Sequence, residues 1–246
     1  MVRASKTHTP EQLEILRWTV RFGVATAEAV AEHGGWTLAS ARGRMLAAER
    51  AGLLRSRRVL ADAPALYTAT RAGLRASGLR GLEPSRVSVA GAPHAIACAR
   101  VAAALERAYP DHHVMGEREL RRDEREAGTA LASACLGHGP RDAVLLHRPD
   151  LVLWPDGVCE QLPVAVEVEL TIKAPARLLE ICRAWARCSC VAGTLYLASP
   201  EVQRPLARAI ERAQAGERVA LVGLEALGGG EARQPTPSAN TVPSDA

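Results

Sequence analysis

HRPDLVLWPDGVCEQLPVAVEVELTIK, residues 147–173, decides how the chain is read. Two runs of strand composition, residues 151–154 and 162–170, flank a turn-like Pro155-Asp156-Gly157, which predicts a hairpin. In the second run side chains alternate across the sheet, so Val164, Val166 and Val168 share one face while Ala165, Glu167 and Glu169 share the other. The valine face is expected to be core. Asp150, at the mouth of the neighbouring strand, can approach the two glutamates. Like charges so placed are costly unless a cation or proton relieves them, and Mg²⁺ commonly takes one or two protein carboxylates with waters and phosphate. Two readings stay open at this point: an acidic site that holds a metal, or an amphipathic hairpin with a solvated acidic face.

The stretch resembles the core of the PD-(D/E)xK nucleases, in which an aspartate at one strand and a glutamate on the next hold a metal beside the scissile phosphate. Pro149-Asp150 stands in the PD position and Glu167 in that of the second acid. The resemblance implies Asp150 and Glu167 as ligands of Mg²⁺ or Mn²⁺, with Glu169 and Lys173 completing a catalytic set. One position departs from the pattern: Glu169 stands where the motif has its lysine. The nearest lysine, Lys173, follows four residues later and is one of only two lysines among 31 basic residues.

The 246 residues suffice for one large domain or two modest ones, and 48% hydrophobic content is ordinary for a globular protein. Aromatic residues are scarce at 3%. No apolar run is long enough to span a bilayer and the N-terminus lacks the apolar centre of a signal peptide, so no membrane contact and a cytoplasmic location are the expectation. Six cysteines form no CxxC pair, and Cys188-Ser189-Cys190 is too tight for a zinc knuckle. Reduced, mostly buried thiols are expected, none in a motif that lowers its pKa. His112-His113, after Pro110-Asp111, reads as a surface turn. Charge is uneven: residues 1–80 carry 13 Arg and Lys against 6 Asp and Glu, a net of +7, and the remainder a net of −3. An anionic partner for the N-terminal third follows.

Thr9-Pro10-Glu11-Gln12 has the form of a helix start, with Gly23 as the stop. A second helix over 26–33 closes at Gly34-Gly35, and Thr37 caps a third that runs to about residue 51 before Gly52. On the third helix Leu38, Ala41, Met45 and Ala48 make an inward stripe; Ser40, Gly43, Arg44, Ala47 and Arg50 face out, with Arg42 at the flank. Residues 53–60 and 65–70 alternate as a hairpin that carries Arg55, Arg57 and Arg58. This order resembles a winged helix domain. The likeness implies that the third helix enters the major groove of double-stranded DNA and that the wing arginines meet phosphate, with Thr37, Ser40, Arg42, Arg44, Arg50, Arg55, Arg57 and Arg58 as the contacting set.

Residues 79–93 read as a linker. A helix is expected over 94–109, a first strand over 114–120 carrying Glu117 and Glu119, a loop or short helix over 127–141, a helix over 175–187, a strand over 191–198, a helix from Pro200 to about residue 215, and a last buried strand over 218–224. Helix, three strands, helix, strand is the order of the nuclease core. The expected fold class is α/β: an N-terminal winged helix-turn-helix domain (9–78), a linker (79–93), a PD-(D/E)xK nuclease-like domain with a mixed central sheet (94–226), and a disordered polar tail (227–246).

Residues 10–215 as a whole resemble the replication-relaxation family of bacterial plasmids and integrative elements. The likeness is carried by residues 66–73 (LYTATRAG), His94-Ala95-Ile96-Ala97, residues 116–121 (GERELR), Arg148-Pro149-Asp150 and residues 166–173 (VEVELTIK). It implies a DNA-binding protein of a mobile element, associated with replication or transfer, with a homodimer and replication or transfer proteins as partners. Two functions compete: a DNA-binding factor on a nuclease-like scaffold, and a Mg-dependent endonuclease or nickase.

Overall fold

The computed structural model describes residues 8–157 and 161–227, and the statements below concern those residues. Cys159 and the expected tail beyond Leu227 lie outside them. Caps written into the sequence set the first helices. In α1 (Pro10–Phe22) the Thr9 hydroxyl accepts the Gln12 N–H while the Gln12 side chain accepts that of Thr9, and Gly23, at φ 82°, ends the helix. Thr26 caps α2 (Ala27–His33) and Thr37 caps α3 (Leu38–Arg50). Strands β1 (Leu54–Arg57) and β2 (Leu66–Ala69) pair antiparallel. Helix α4 (Arg71–Ser77), capped by Thr70, was not expected from the sequence. Gly73 lets it approach the strand entrance, because a Cβ there would lie 2.1 Å from the Leu53 carbonyl oxygen.

The second half begins with α5 (Ala92–Ala108), after residues 79–91, which hold no helix or strand. It continues through β3 (His112–Gly116), α6 (Glu117–Ala127), β4 (Ala134–His138), β5 (Val144–His147), β6 (Leu151–Pro155), β7 (Val164–Glu169), α7 (Pro175–Arg187), β8 (Gly193–Ala198), α8 (Pro200–Arg212) and β9 (Val219–Gly223). The fold is mixed α/β, with eight α-helices and a five-stranded mixed sheet of order β3-β6-β7-β8-β9 among the described residues. The hairpin partners β6 and β7 are antiparallel, as are β3 and β6; β7, β8 and β9 run parallel. No helix among the described residues is long and apolar enough to cross a membrane.

Four expectations need correction. The strand expected over 114–120 stops at Gly116, and Glu117 and Glu119 belong to α6, whose single core leucine, Leu120, left too little helical pattern to see. His112-His113 opens β3 rather than forming a turn. Residues 134–138, read as loop or short helix, pair with β5 in a separate two-stranded sheet that bulges between Cys135 and Gly137. The last strand, β9, lies at the sheet edge with alternate residues exposed or half-buried, so it is not buried throughout.

The sheet is covered on both faces. Leu151, Leu153, Val166 and Val168 join a core that includes Val101 and Leu105 of α5 and continues into Ile15, Leu16, Val20 and Val30 of the N-terminal helices. Val152 and Ala165 face Leu178, Ile181 and Trp185 of α7 and Leu206 of α8. The alanines of α5 let α2 pack on it from one side and the sheet from the other. Polar contacts follow the same seam. Glu106 accepts hydrogen bonds from Trp18 Nε1 at 2.9 Å and meets His33 Nδ1 at 2.7 Å, and Arg21 Nε donates to the buried Glu119 at 3.0 Å.

Removal of the Arg21 guanidinium leaves Glu119 buried without its cation. Arg21→Ala is expected to lower the unfolding free energy by about 2–3 kcal/mol in urea titrations. Because one core spans both halves, Trp fluorescence and far-ultraviolet circular dichroism should report a single transition; two separated transitions would contradict the shared core.

Candidate functional site

Asp150 follows Pro149 and sits just before β6, where the ladder with β7 ends. Its carboxylate takes over part of that ladder: Oδ2 accepts the N–H of Val168 on β7 at 2.8 Å. Oδ1 lies 2.9 Å from Nε2 of His94, in the first turns of α5. The Asp150 carbonyl oxygen accepts the N–H of Glu117, at the start of α6. Cys98, one helical turn beyond His94, brings Sγ to 3.4 Å from the same Nε2. The hydrogen bond to Asp150 pushes the His94 pKa up, against burial, which pulls it down. Burial pushes the Cys98 thiol well above its ordinary value, and the charges of Asp150 and Glu167 push it further the same way.

Glu167 and Glu169 are not on a solvated face; they are 6% and 5% exposed. The register that pairs Leu151 with Val166 aligns Asp150 with Glu167, but Trp185 of α7 and His147 at the end of β5 meet Glu167, and Lys173 meets Glu169. Glu167 Oε1 meets His147 Nε2 at 2.7 Å and accepts from Trp185 Nε1 at 3.2 Å. Burial holds its pKa above the ordinary carboxylate range, opposed by the His147 hydrogen bond and charge; the Asp150 charge adds to the rise. The Lys173 ammonium donates to Glu169, and its charge is felt at both Glu167 and His94. Lys173 therefore comes to this end of the sheet, held by the acid that stands in the motif's lysine position.

The four acidic and basic residues of the expected catalytic set thus gather at one end of β6 and β7, but the carboxylates do not converge on one cation. Asp150 turns to α5, Glu167 to α7 and Glu169 to Lys173, each already partnered by nitrogen donors. Mg²⁺ takes oxygen ligands, and this arrangement of donors does not fit it. The group of ligand-type side chains that does cluster among the described residues is His94, Cys98 and Asp150, whose ligand atoms all lie within 4.8 Å of one another. The sequence pointed to His94 only through family likeness and to Cys98 only as one of six reduced thiols, and it gave His147 no role in the site. The His–Cys spacing of four residues on one helix was the available signal.

The basic face is arranged as follows. Ala41, Met45 and Ala48 of α3 are buried, and Arg42, Arg50, Arg55, Arg57 and Arg58 are exposed. Thr37 and Ser40 are spent partly on the cap, where the Thr37 hydroxyl accepts the Ser40 N–H. Arg44 is pinned: it stacks 4.4 Å over Trp36 and donates to the Ser40 hydroxyl. Arg42 pairs with Glu28 at 3.4 Å, and Arg55 donates to Thr68. A cleft of 450 Å³ beside β1 is lined by Arg55 and Arg57 and by Arg86, from the segment read as linker.

The five described cysteines are free, and Cys135 is exposed. The expectation that none has a lowered pKa is corrected at Cys188, held down to about 6 by a hydrogen bond from Cys190, whose sulfur lies 3.2 Å away. The same bond pushes the Cys190 thiol up. Compared with models of protein families the chain matches none, and it matches none of the curated proteins.

Because the folded state binds the Glu167 proton more tightly than the unfolded chain does, this group's contribution to stability falls as pH rises from the ordinary carboxylate value through the raised one. Glu167→Gln removes that ionisation. The variant is expected to match the parent at about pH 4 and to exceed it at about pH 8 in urea denaturation. A parent that instead gains on the variant as pH rises would show that His147 holds the carboxylate as a stabilised ion.

Proposed function

We propose that the chain is a DNA-binding protein of the replication-relaxation type, acting in the replication or transfer of a plasmid or other mobile element, on a scaffold of winged helix plus PD-(D/E)xK-like core. The observation that carries the reading is the exposed arginine face of α3 and β1. Arg50 and Arg57 have no acidic partner among the described residues, while the inward side of α3 is fixed in the core. Three capped helices followed by a two-stranded antiparallel sheet support the winged helix assignment. Within the sheet β3, β6 and β7 are antiparallel neighbours and α7 leads to parallel β8, with α6 and the β4–β5 pair inserted between β3 and β6; that arrangement, with the register aligning Asp150 with Glu167, supports the nuclease-like one. On this reading α3 enters the major groove of double-stranded DNA while Arg55, Arg57, Arg58 and Arg86 meet phosphates.

A second reading, a Mg²⁺- or Mn²⁺-dependent endonuclease or nickase with Asp150 and Glu167 as metal ligands and Glu169 and Lys173 beside them, is favoured by the arrival of Lys173 at the site. It requires Asp150 and Glu167 to leave His94 and His147 for the metal.

Arg57→Ala is expected to weaken duplex binding about 3–10-fold and to reduce the slope of log K against log salt by about 1, as the loss of one phosphate contact does. Fluorescence anisotropy at several salt concentrations measures both. Unchanged affinity and slope in Arg57→Ala and in Arg50→Ala would remove the assigned face. In the same preparations, supercoiled plasmid with Mg²⁺ or Mn²⁺ should shift in mobility without being nicked. Nicking abolished by Asp150→Ala would move the assignment to the second reading.

A further inference from the structure

We propose that His94, Cys98 and Asp150 form a binding site for a borderline divalent transition metal, Zn²⁺ being the ion whose chemistry fits best. The inference needs neither DNA binding nor cleavage. His94 and Cys98, four residues apart, project from one face of α5, and Asp150 meets them from the mouth of β6. The nitrogen lies 2.9 Å from the carboxylate oxygen and 3.4 Å from the sulfur. Tetrahedral zinc, with bonds of about 2.0–2.3 Å, separates its ligand atoms by roughly 3.3–3.7 Å. Admitting the ion therefore asks the His94 nitrogen to part from the carboxylate and the sulfur by a few tenths of an ångström or less, with the three ligand atoms already within 4.8 Å of one another, and the His94 side chain is 45% exposed.

The donors decide the ion. One imidazole nitrogen, one thiol sulfur and one carboxylate oxygen suit zinc, whereas magnesium and calcium favour oxygen throughout. The Asp150 arm is set in advance, because Val168 N–H holds its second oxygen, as outer partners of metal ligands commonly do. As sulfur takes the metal, the Cys98 proton passes to solvent. Three protein ligands leave a fourth position, open on the exposed side of His94 to a water or to an anionic oxygen in its place.

The test is titration of the metal-stripped, reduced full chain with Co²⁺, followed by competition with Zn²⁺. One equivalent of Co²⁺ should bind with a thiolate-to-cobalt charge-transfer band, and Zn²⁺ should displace it where a large excess of Mg²⁺ does not. Cys98→Ser should abolish the band. His94→Gln, at a half-exposed position that tolerates change, should weaken Co²⁺ binding more than about 100-fold, beyond the loss of an outer partner. A Cys188→Ser, Cys190→Ser double variant should keep the band. Circular dichroism establishes that each variant is folded. Absence of stoichiometric binding, a band that survives Cys98→Ser, full affinity in His94→Gln, or a band lost with Cys188 and Cys190 would each overturn the site. Plasmid binding or nicking bears on none of these readouts.

Discussion

One carboxylate, that of Asp150, is the point through which four elements of the second half are held together. Its two oxygens reach His94 on α5 and the Val168 N–H on β7, and its carbonyl receives the first N–H of α6. The Val168 N–H lies beyond the last β6–β7 pair, Leu151 with Val166, and needs an acceptor. The Asp150 carboxylate supplies it, and a carboxylate is a stronger acceptor than a neutral group. The same step fixes where α5, which also carries the N-terminal helices, lies over the sheet.

The second constraint is the burial of acids on β7. A central strand covered by α5 on one face and α7 on the other cannot present a solvated side, so Glu167 and Glu169 are enclosed once the valines are placed. An enclosed carboxylate must be neutralised or paired. His147 and Trp185 meet Glu167, and Lys173 meets Glu169. The raised Glu167 pKa and the ion pair at Glu169 are two solutions to one problem, the second made available by a lysine four residues downstream.

Local signals made much of the fold legible. Thr9 and Thr37 cap the helices they were expected to cap, the helix expected over 26–33 starts one residue later with Thr26 as its cap, and alternation set the hairpin and its faces. The misses share a cause: elements defined by partners distant in sequence. Helix α6 is nearly all charge, and it buries Glu119 and Glu124 only because Arg21 and Arg148 meet them. Strand β4 exists by pairing with β5, and α4 by the close approach at Gly73. In the site, Asp150 and Glu167 could be read from strand periodicity, which is local. That His94 would turn toward Asp150, 56 residues away, is a property of how α5 lies on the sheet.

The charge asymmetry along the chain has a local counterpart in three dimensions. The second half is net acidic and keeps most of its described acids at the surface, but those nearest the sheet and the seam with the N-terminal helices are enclosed. Glu119 pairs with Arg21, Glu124 with Arg148, Glu169 with Lys173, and Glu106 accepts from Trp18. Meanwhile Arg42, Arg50, Arg55, Arg57 and Arg58 stay at the surface, and Arg86 from the connecting segment joins Arg55 and Arg57 at their cleft. Acids enclosed beside cations contribute little field outside, whereas unpaired exposed arginines contribute most of theirs. At the face of α3 and β1 an anionic polymer would therefore meet a field more basic than the net charge of +4 suggests, set by where the exposed arginines cluster.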